Sequence, residues 1–219
     1  MRLDLEELEE RPTDKIDGFK ERLEELLPSL IEHRCSEGCR GGFFQRVDRG
    51  TWMGHVIEHI ALEIQTLAGM DVGFGRTRET KTSGVYNVVF NYLEEKVGIY
   101  AAKAAVKIAE ALIEGEKYDL TDDIQNMKEI REDVRLGPST ASIVDEAVSR
   151  DIPYLRLGRN SLIQLGAGVN QMRFQATITC KTSNIAVDIA CNKEQTKKML
   201  NDASIPVAKG DICYDEEDL

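Results

Sequence analysis

The segment TWMGHVIEHIALEIQTLAG, from Thr51 to Gly69, places the tightest constraint on what this chain can fold into. The Thr51 hydroxyl suits an N-cap, and Gly69 suits the left-handed residue just past a helix end. At about 100° per residue, Val56, Ile60, Ile64 and Leu67 fall on one apolar stripe with Met53 and Ile57 at its edges. His55, Glu58, His59 and Leu62 face roughly the other way. Such a helix buries one side in a core and carries two of the chain's three histidines on the opposite side. Their i, i+4 spacing sets the imidazoles on adjacent turns, about 6 Å apart at Cβ, which suits one metal ion held by both.

His-x-x-Glu-His is the inverted order of the zinc-protease helix motif. Two neutral imidazoles hold Zn²⁺, a third ligand comes from elsewhere, and the glutamate, here Glu58, deprotonates the bound water. The competing reading is a pair of histidines on the surface or on a second packing face. His33, Cys35 and Cys39 also offer ligand atoms, but the second pair that a zinc knuckle needs is missing. They are read as part of a tight glycine-rich turn, CSEGCRGG (35–42), with no phosphate-binding fingerprint after it. The third ligand is therefore expected to be a carboxylate from a distant stretch.

With 219 residues the chain is long enough for a large domain, or a domain and a half, whose core needs no staples. A net charge of −11 argues against a nucleic-acid or anionic-membrane partner, which requires clustered Lys and Arg. It suits a cationic or zwitterionic ligand. No run of about 18 apolar residues is present and the N-terminus is acidic, unlike a signal peptide, so a cytoplasmic location is expected. The five cysteines are scattered and odd in number, which fits reduced thiols.

In chain order, helices are expected over 3–10 and 18–32, with Pro28 ending or bending the second. A polar loop or strand edge over 73–84 precedes a strand in GVYNVVFNYL, then an alanine-rich helix Glu95–Glu114 closed by Gly115. A helix over 121–134 is capped by Thr121 and buries Ile124, Met127, Ile130 and Val134. LGPST (136–140) turns into a helix over 141–150 capped by Ser139 or Thr140. Beyond it come short strands in IPYLRL, SLIQLGAG and MRFQATIT, two helices in SNIAVDIACNKEQTKKMLNDASIP, and a strand opening at VAKGDIC. The expected organisation is α/β (α+β): a domain over 1–150, of helices on a small sheet, and the opening of a second over 151–219.

Glu129 and Glu132 sit about 70 residues downstream of His59, the layout of the inverted-motif, pitrilysin-type metallopeptidases. Glu132 is the expected third ligand and Glu129 the alternative, with Glu146 a weaker choice. The other reading of these glutamates is the solvated face of an acidic helix.

Several separated strings, among them HRCSEGCRGGFFQRVDRGTWMGHVIEHIALEIQTLAG, GVYNVVFNYLEEKVGIYAAKAAV, REDVRLGPSTASIVDEAVSRDIPYLRL and TSNIAVDIACNKEQTKKMLNDASIPVAKG, resemble the N-terminal part of the cyanophycin synthetases. The resemblance runs from about residue 30 to the end. It implies an N-terminal domain followed by an ATP-grasp domain that adds aspartate to a polymer and a Mur-ligase-like domain that adds arginine. This sequence matches the first of these and the entry of the second, so it is expected to hold no ATP-binding residues and no ligase activity. ATP, Mg²⁺ and a homo-oligomeric assembly are implied for the full-length relatives. For the N-terminal domain the resemblance implies handling of the aspartate–arginine polymer and, in some members, a zinc-hydrolase-like site that trims polymer to primers. His55, Glu58 and His59 match that motif. In the hydrolytic reading Zn²⁺ lowers the pKa of a water toward about 7 and Glu58 takes its proton. The alternatives are an anchoring module with a vestigial His-x-x-Glu-His helix and a free-standing peptidase.

Overall fold

The computed structural model describes residues 1–210 and 213, which divide into two compact units, Met1–Arg135 and Leu136–Leu219. In the first unit, strand β1 (Arg2–Asp4), β2 (Gly75–Glu79) and β3 (Val85–Phe90) form an antiparallel sheet in the order β1-β3-β2. The first residues are thus a strand, not the helix expected over 3–10, with Leu3 opposite Tyr86. The alternation Arg2, Leu3, Asp4, Leu5 matches a sheet edge, and a helix this short is marginal without packing of its own. A 3-10 turn, Glu6–Glu10, follows.

Helix α1 (Phe19–Leu26) buries Phe19 and Leu23 and ends ahead of Pro28, which opens a 3-10 turn, Pro28–Glu32. Helix α2 (Gly42–Arg49) buries Phe43, Phe44 and Val47. Helix α3 (Met53–Leu67) carries the histidine motif and occupies the centre: it packs mainly against α4 (Glu95–Glu114) and lies across β2 and β3. Twelve of its fifteen residues are buried. Helix α5 (Thr121–Val134) packs on α4, with Met127 fully buried. The Tyr100 and Tyr118 hydroxyls each donate to Asp123 at 2.7 Å and fasten the two helices.

Both threonines expected as caps do other work. Residue 52 occupies the N-cap of α3 with no side-chain bond, while Thr51 is buried and its N–H donates to Thr13 Oγ1 at 2.9 Å. Thr13 N–H returns the bond to Thr51 O at 3.0 Å, clamping the chain ahead of α3. At α5, Asp119 Oδ1 accepts from the N–H and the hydroxyl of Thr121.

In the second unit, helix α6 (Pro138–Ser149) starts on Pro138, which suits the first helical position, so Ser139 and Thr140 lie inside it. Strands β4 (Tyr154–Arg156), β5 (Leu162–Leu165), β6 (Met172–Gln175) and β7 (Ile178–Thr179) form an antiparallel sheet in sequence order. The strand expected in MRFQATIT is a hairpin, broken at Ala176 with φ 53°. Val144, Ile163 and Phe174 form this unit's core, which explains why α6 groups with it although the sequence reading set the division after residue 150. Helices α7 (Asn184–Cys191) and α8 (Lys193–Asp202) are capped by the Ser183 and Asn192 side chains. Of the strand expected over 207–213, residues 211 and 212 lie outside the described residues, and 207–210 and 213 carry no regular structure. Antiparallel sheets with separate helices make the described architecture α+β.

Candidate metal centre

The face of α3 opposite its core stripe is also buried, under α2 and the 28–37 segment, so the histidines lie at a second packing interface. All three histidines of the chain meet there. His59 is 7% exposed and stacks on Phe43 with ring centroids 4.3 Å apart. His55 stands edge-on to His59 at 4.6 Å. His33 Nδ1 lies 2.8 Å from His59 Nδ1, and His33 Nε2 lies 2.7 Å from Glu63 Oε2. Cys35 Sγ lies 3.2 Å from His55 Nε2.

Close approach of the 34–37 segment depends on Gly42, where a Cβ would fall 2.4 Å from the Arg34 carbonyl oxygen. Cys35 itself adopts φ 52°, a left-handed conformation that costs a non-glycine residue about 1–2 kcal/mol. Strained backbone of this kind persists where the surroundings over-determine it and concentrates at functional sites.

Ligand atoms of Cys35, His55 and His59 lie within 4.8 Å of one another. Thiolate and imidazole nitrogen are the donors zinc prefers, and three of them leave one position of a tetrahedron open. The residues present therefore fit Zn²⁺. The Cys35 thiol is raised by burial but lowered further by the hydrogen bond and charge of His55 and by bonds to Ser36, which leaves its pKa at about 7. Burial alone lowers His55; its contacts with Cys35 and Glu58 reverse this and hold it above the ordinary value. Burial, reinforced by the charges of His55, His33 and Arg46, keeps His59 well below its usual range and so neutral, the form that binds metal. Burial raises the Glu63 carboxyl, but bonds to His33 and Ser29 outweigh it and leave it lowered.

Glu58 is 4% exposed. Its Oε2 accepts from Thr77 Oγ1 at 2.6 Å and lies 3.9 Å from His55 Nδ1, the ring nitrogen turned away from Cys35. The structure brings His55, His59 and Glu58 together as the motif implies. It does not bring Glu132 to them: Glu132 is exposed and pairs with Arg135 at 2.8 Å. Glu129 accepts from Gln125 on the same exposed surface, and Glu146 pairs with Arg150 in the second unit. Acidic residues on the solvated side of a helix satisfy themselves locally with i, i+3 and i, i+4 partners. The candidate ligand that the sequence reading passed over is Cys35, with His33 behind His59.

The fold and site define an α+β domain built on a buried helix, with a Cys-His-His centre sized for one transition-metal ion. Residues 1–114 match the cyanophycin synthase-like N-terminal domain family, and the chain belongs to that family. It is 50% identical over its whole length to a cyanophycin synthetase of Geminocystis herdmanii, of which it covers 25%. Similar proteins named cyanophycin synthetase occur in Trichormus variabilis, 52% identical over 25% of that protein, and in Synechocystis sp., 50% identical over 25%. The chain thus spans about a quarter of the length of the curated relatives it matches. No helix among the described residues is long and apolar enough to cross a membrane.

Proposed function

We propose that Met1–Arg135 is the polymer-handling domain of a cyanophycin synthetase, and that it binds the aspartate–arginine polymer and cuts its backbone to make primers at a zinc site. In this reading Cys35, His55 and His59 hold the ion. The observation that supports it is the convergence of every histidine in the chain, with Cys35, on one buried interface. Bound there, Zn²⁺ supplies Lewis-acid polarisation of a backbone carbonyl and of a water. Glu58 is the proton acceptor: Thr77 occupies its Oε2, so Oε1 is the oxygen left to take and return a proton. The acidic surface suits a substrate bristling with guanidinium groups, which carboxylates bind bidentately. ATP-dependent ligation with Mg²⁺, in a cytoplasmic homo-oligomer, is the activity proposed for the full-length protein, with the second unit opening its ATP-grasp domain.

Enclosure of Glu58 between Thr77 and Gly75 favours a second reading, an anchoring module in which the same centre is structural. The two separate on Glu58→Gln. In the hydrolytic reading the variant keeps about one zinc per chain and loses cleavage of purified polymer; cleavage at the native rate removes Glu58 from the mechanism. Zinc retained in a native chain that cuts no polymer establishes the anchoring module.

A further inference from the structure

The hydrogen bonds around His59 form a directed chain. Glu63 Oε2, His33 Nε2, His33 Nδ1 and His59 Nδ1 follow one another with contacts of 2.7 Å and 2.8 Å. Glu63 is 3% exposed, and as a carboxylate it can only accept. A neutral His33 then carries its proton on Nε2 and offers a lone pair at Nδ1. His59, facing that lone pair, must carry its proton on Nδ1, which leaves Nε2 bare. The reverse order requires either a protonated carboxyl at Glu63, which its neighbours disfavour, or an imidazolium at His33 that donates from both nitrogens and leaves His59 Nδ1 as the acceptor.

Resting on the metal reading above, we propose that Glu63 and His33 are positioning residues: a carboxylate–imidazole relay that fixes the tautomer and ring orientation of His59 so that its Nε2 is the metal-binding nitrogen. A ligating histidine ordinarily donates its second N–H to a carboxylate or carbonyl. Here an imidazole stands between, and carries the influence of Glu63 from one turn further along α3. Phe43, against His33 and His59 with centroids 6.4 Å and 4.3 Å away, keeps both rings in place. The arrangement assigns a role to the one histidine outside the motif helix and to an otherwise unaccounted-for buried carboxylate.

Two measurements test it. In the metal-free, ¹⁵N-labelled native chain at pH 8, long-range ¹H–¹⁵N correlation of the histidine rings is expected to show His59 protonated on Nδ1 and His33 on Nε2. His59 protonated on Nε2 overturns the relay without any variant being made. Zinc affinity, from competition with a chromophoric chelator, is expected to fall about 10- to 100-fold in His33→Phe and Glu63→Leu, the range for lost partners of ligating histidines. Glu63→Gln, whose amide oxygen still accepts from His33, is expected to recover most of the loss. Equal affinity in native, His33→Phe and Glu63→Leu chains overturns the proposal. A native chain that takes up no zinc overturns the metal reading itself, and the tautomer measurement then decides alone whether the relay exists.

Discussion

Gly75→Ala probes how tightly β2 encloses Glu58. A Cβ at residue 75 would fall 2.5 Å from Glu58 Oε1, 2.7 Å from its Cγ and 2.8 Å from its Cδ. Real contacts are never this close, and the Cγ cannot swing aside without rotating the carboxylate off Thr77. Overpacking of this kind costs about 1–3 kcal/mol, while the stiffer unfolded chain returns about 0.4–1 kcal/mol because the Gly75 backbone suits any residue. The net expectation is a loss of about 1–2 kcal/mol, or a urea midpoint lower by roughly 0.5–1 M at a slope near 2 kcal/mol/M. Trp52, the only tryptophan, lies beside the start of α3 with Nε1 donating to Glu9 O at 3.3 Å, so its fluorescence reports on the first unit. In a Glu58→Ala background the obstructing atoms are gone, and Gly75→Ala should be neutral or stabilising. The double-mutant cycle therefore gives a coupling of about 1–3 kcal/mol. An equal loss in both backgrounds would refute the close approach of β2 to Glu58, and with it the idea that the sheet holds this carboxylate.

In the metal-free chain, Cys35 at a pKa of about 7 is roughly half thiolate at pH 7, against about one part in a hundred for a thiol near 9. Because its acid form is the one disfavoured, alkylation of Cys35 should rise through pH 7, not 9; mass-spectrometric mapping across pH 5–10 checks this, and one equivalent of zinc should suppress it. Phe43→Ala removes a fully buried ring that touches all three imidazoles and should destabilise the first unit by about 3–5 kcal/mol in the same urea assay.

Much of the first unit was legible because its long helices satisfy local rules. The helix Glu95–Glu114 and its Gly115 closure, and the span Thr121–Val134, emerge from 3.6-residue periodicity and end signals alone. His55, Glu58 and His59 were legible for the same reason, since a helix fixes which residues share a face. The third donor was not. Cys35 reaches the helix through a turn that depends on a left-handed cysteine and on Gly42, which no periodicity encodes. The available signal was arithmetic: a chain with three histidines, the third two residues before a cysteine and a short distance ahead of the motif helix. Glu132 attracted attention by spacing, but a position on a helix of mostly exposed acidic residues is the weakest context for a buried ligand. The start of the chain misled for the converse reason: Leu5 and Leu8 are spaced as on a helix while Leu3 and Leu5 alternate as on a strand, and pairing with β3 decided between them.

Charge explains why these groups belong to one site. Glu58 and Glu63 are 4% and 3% exposed, and a buried carboxylate is costly unless it is paired. Glu63 has Ser29 and His33. Glu58 has one hydroxyl bond and an imidazole at 3.9 Å, beyond hydrogen-bond reach. Cys35 adds a third negative charge when its proton leaves, and His59, held neutral by burial, offers no compensation. Glu63 is matched by His33, which leaves Glu58 and a Cys35 thiolate to share His55, with the charge of Arg46 felt at His59, in a chain already at −11. In the metal reading, a divalent cation between the thiolate and the two imidazoles would add positive charge where these acids meet. The same electrostatics that makes the cluster expensive to bury would favour a metal there, and both follow from confining the histidine face of α3 beneath α2.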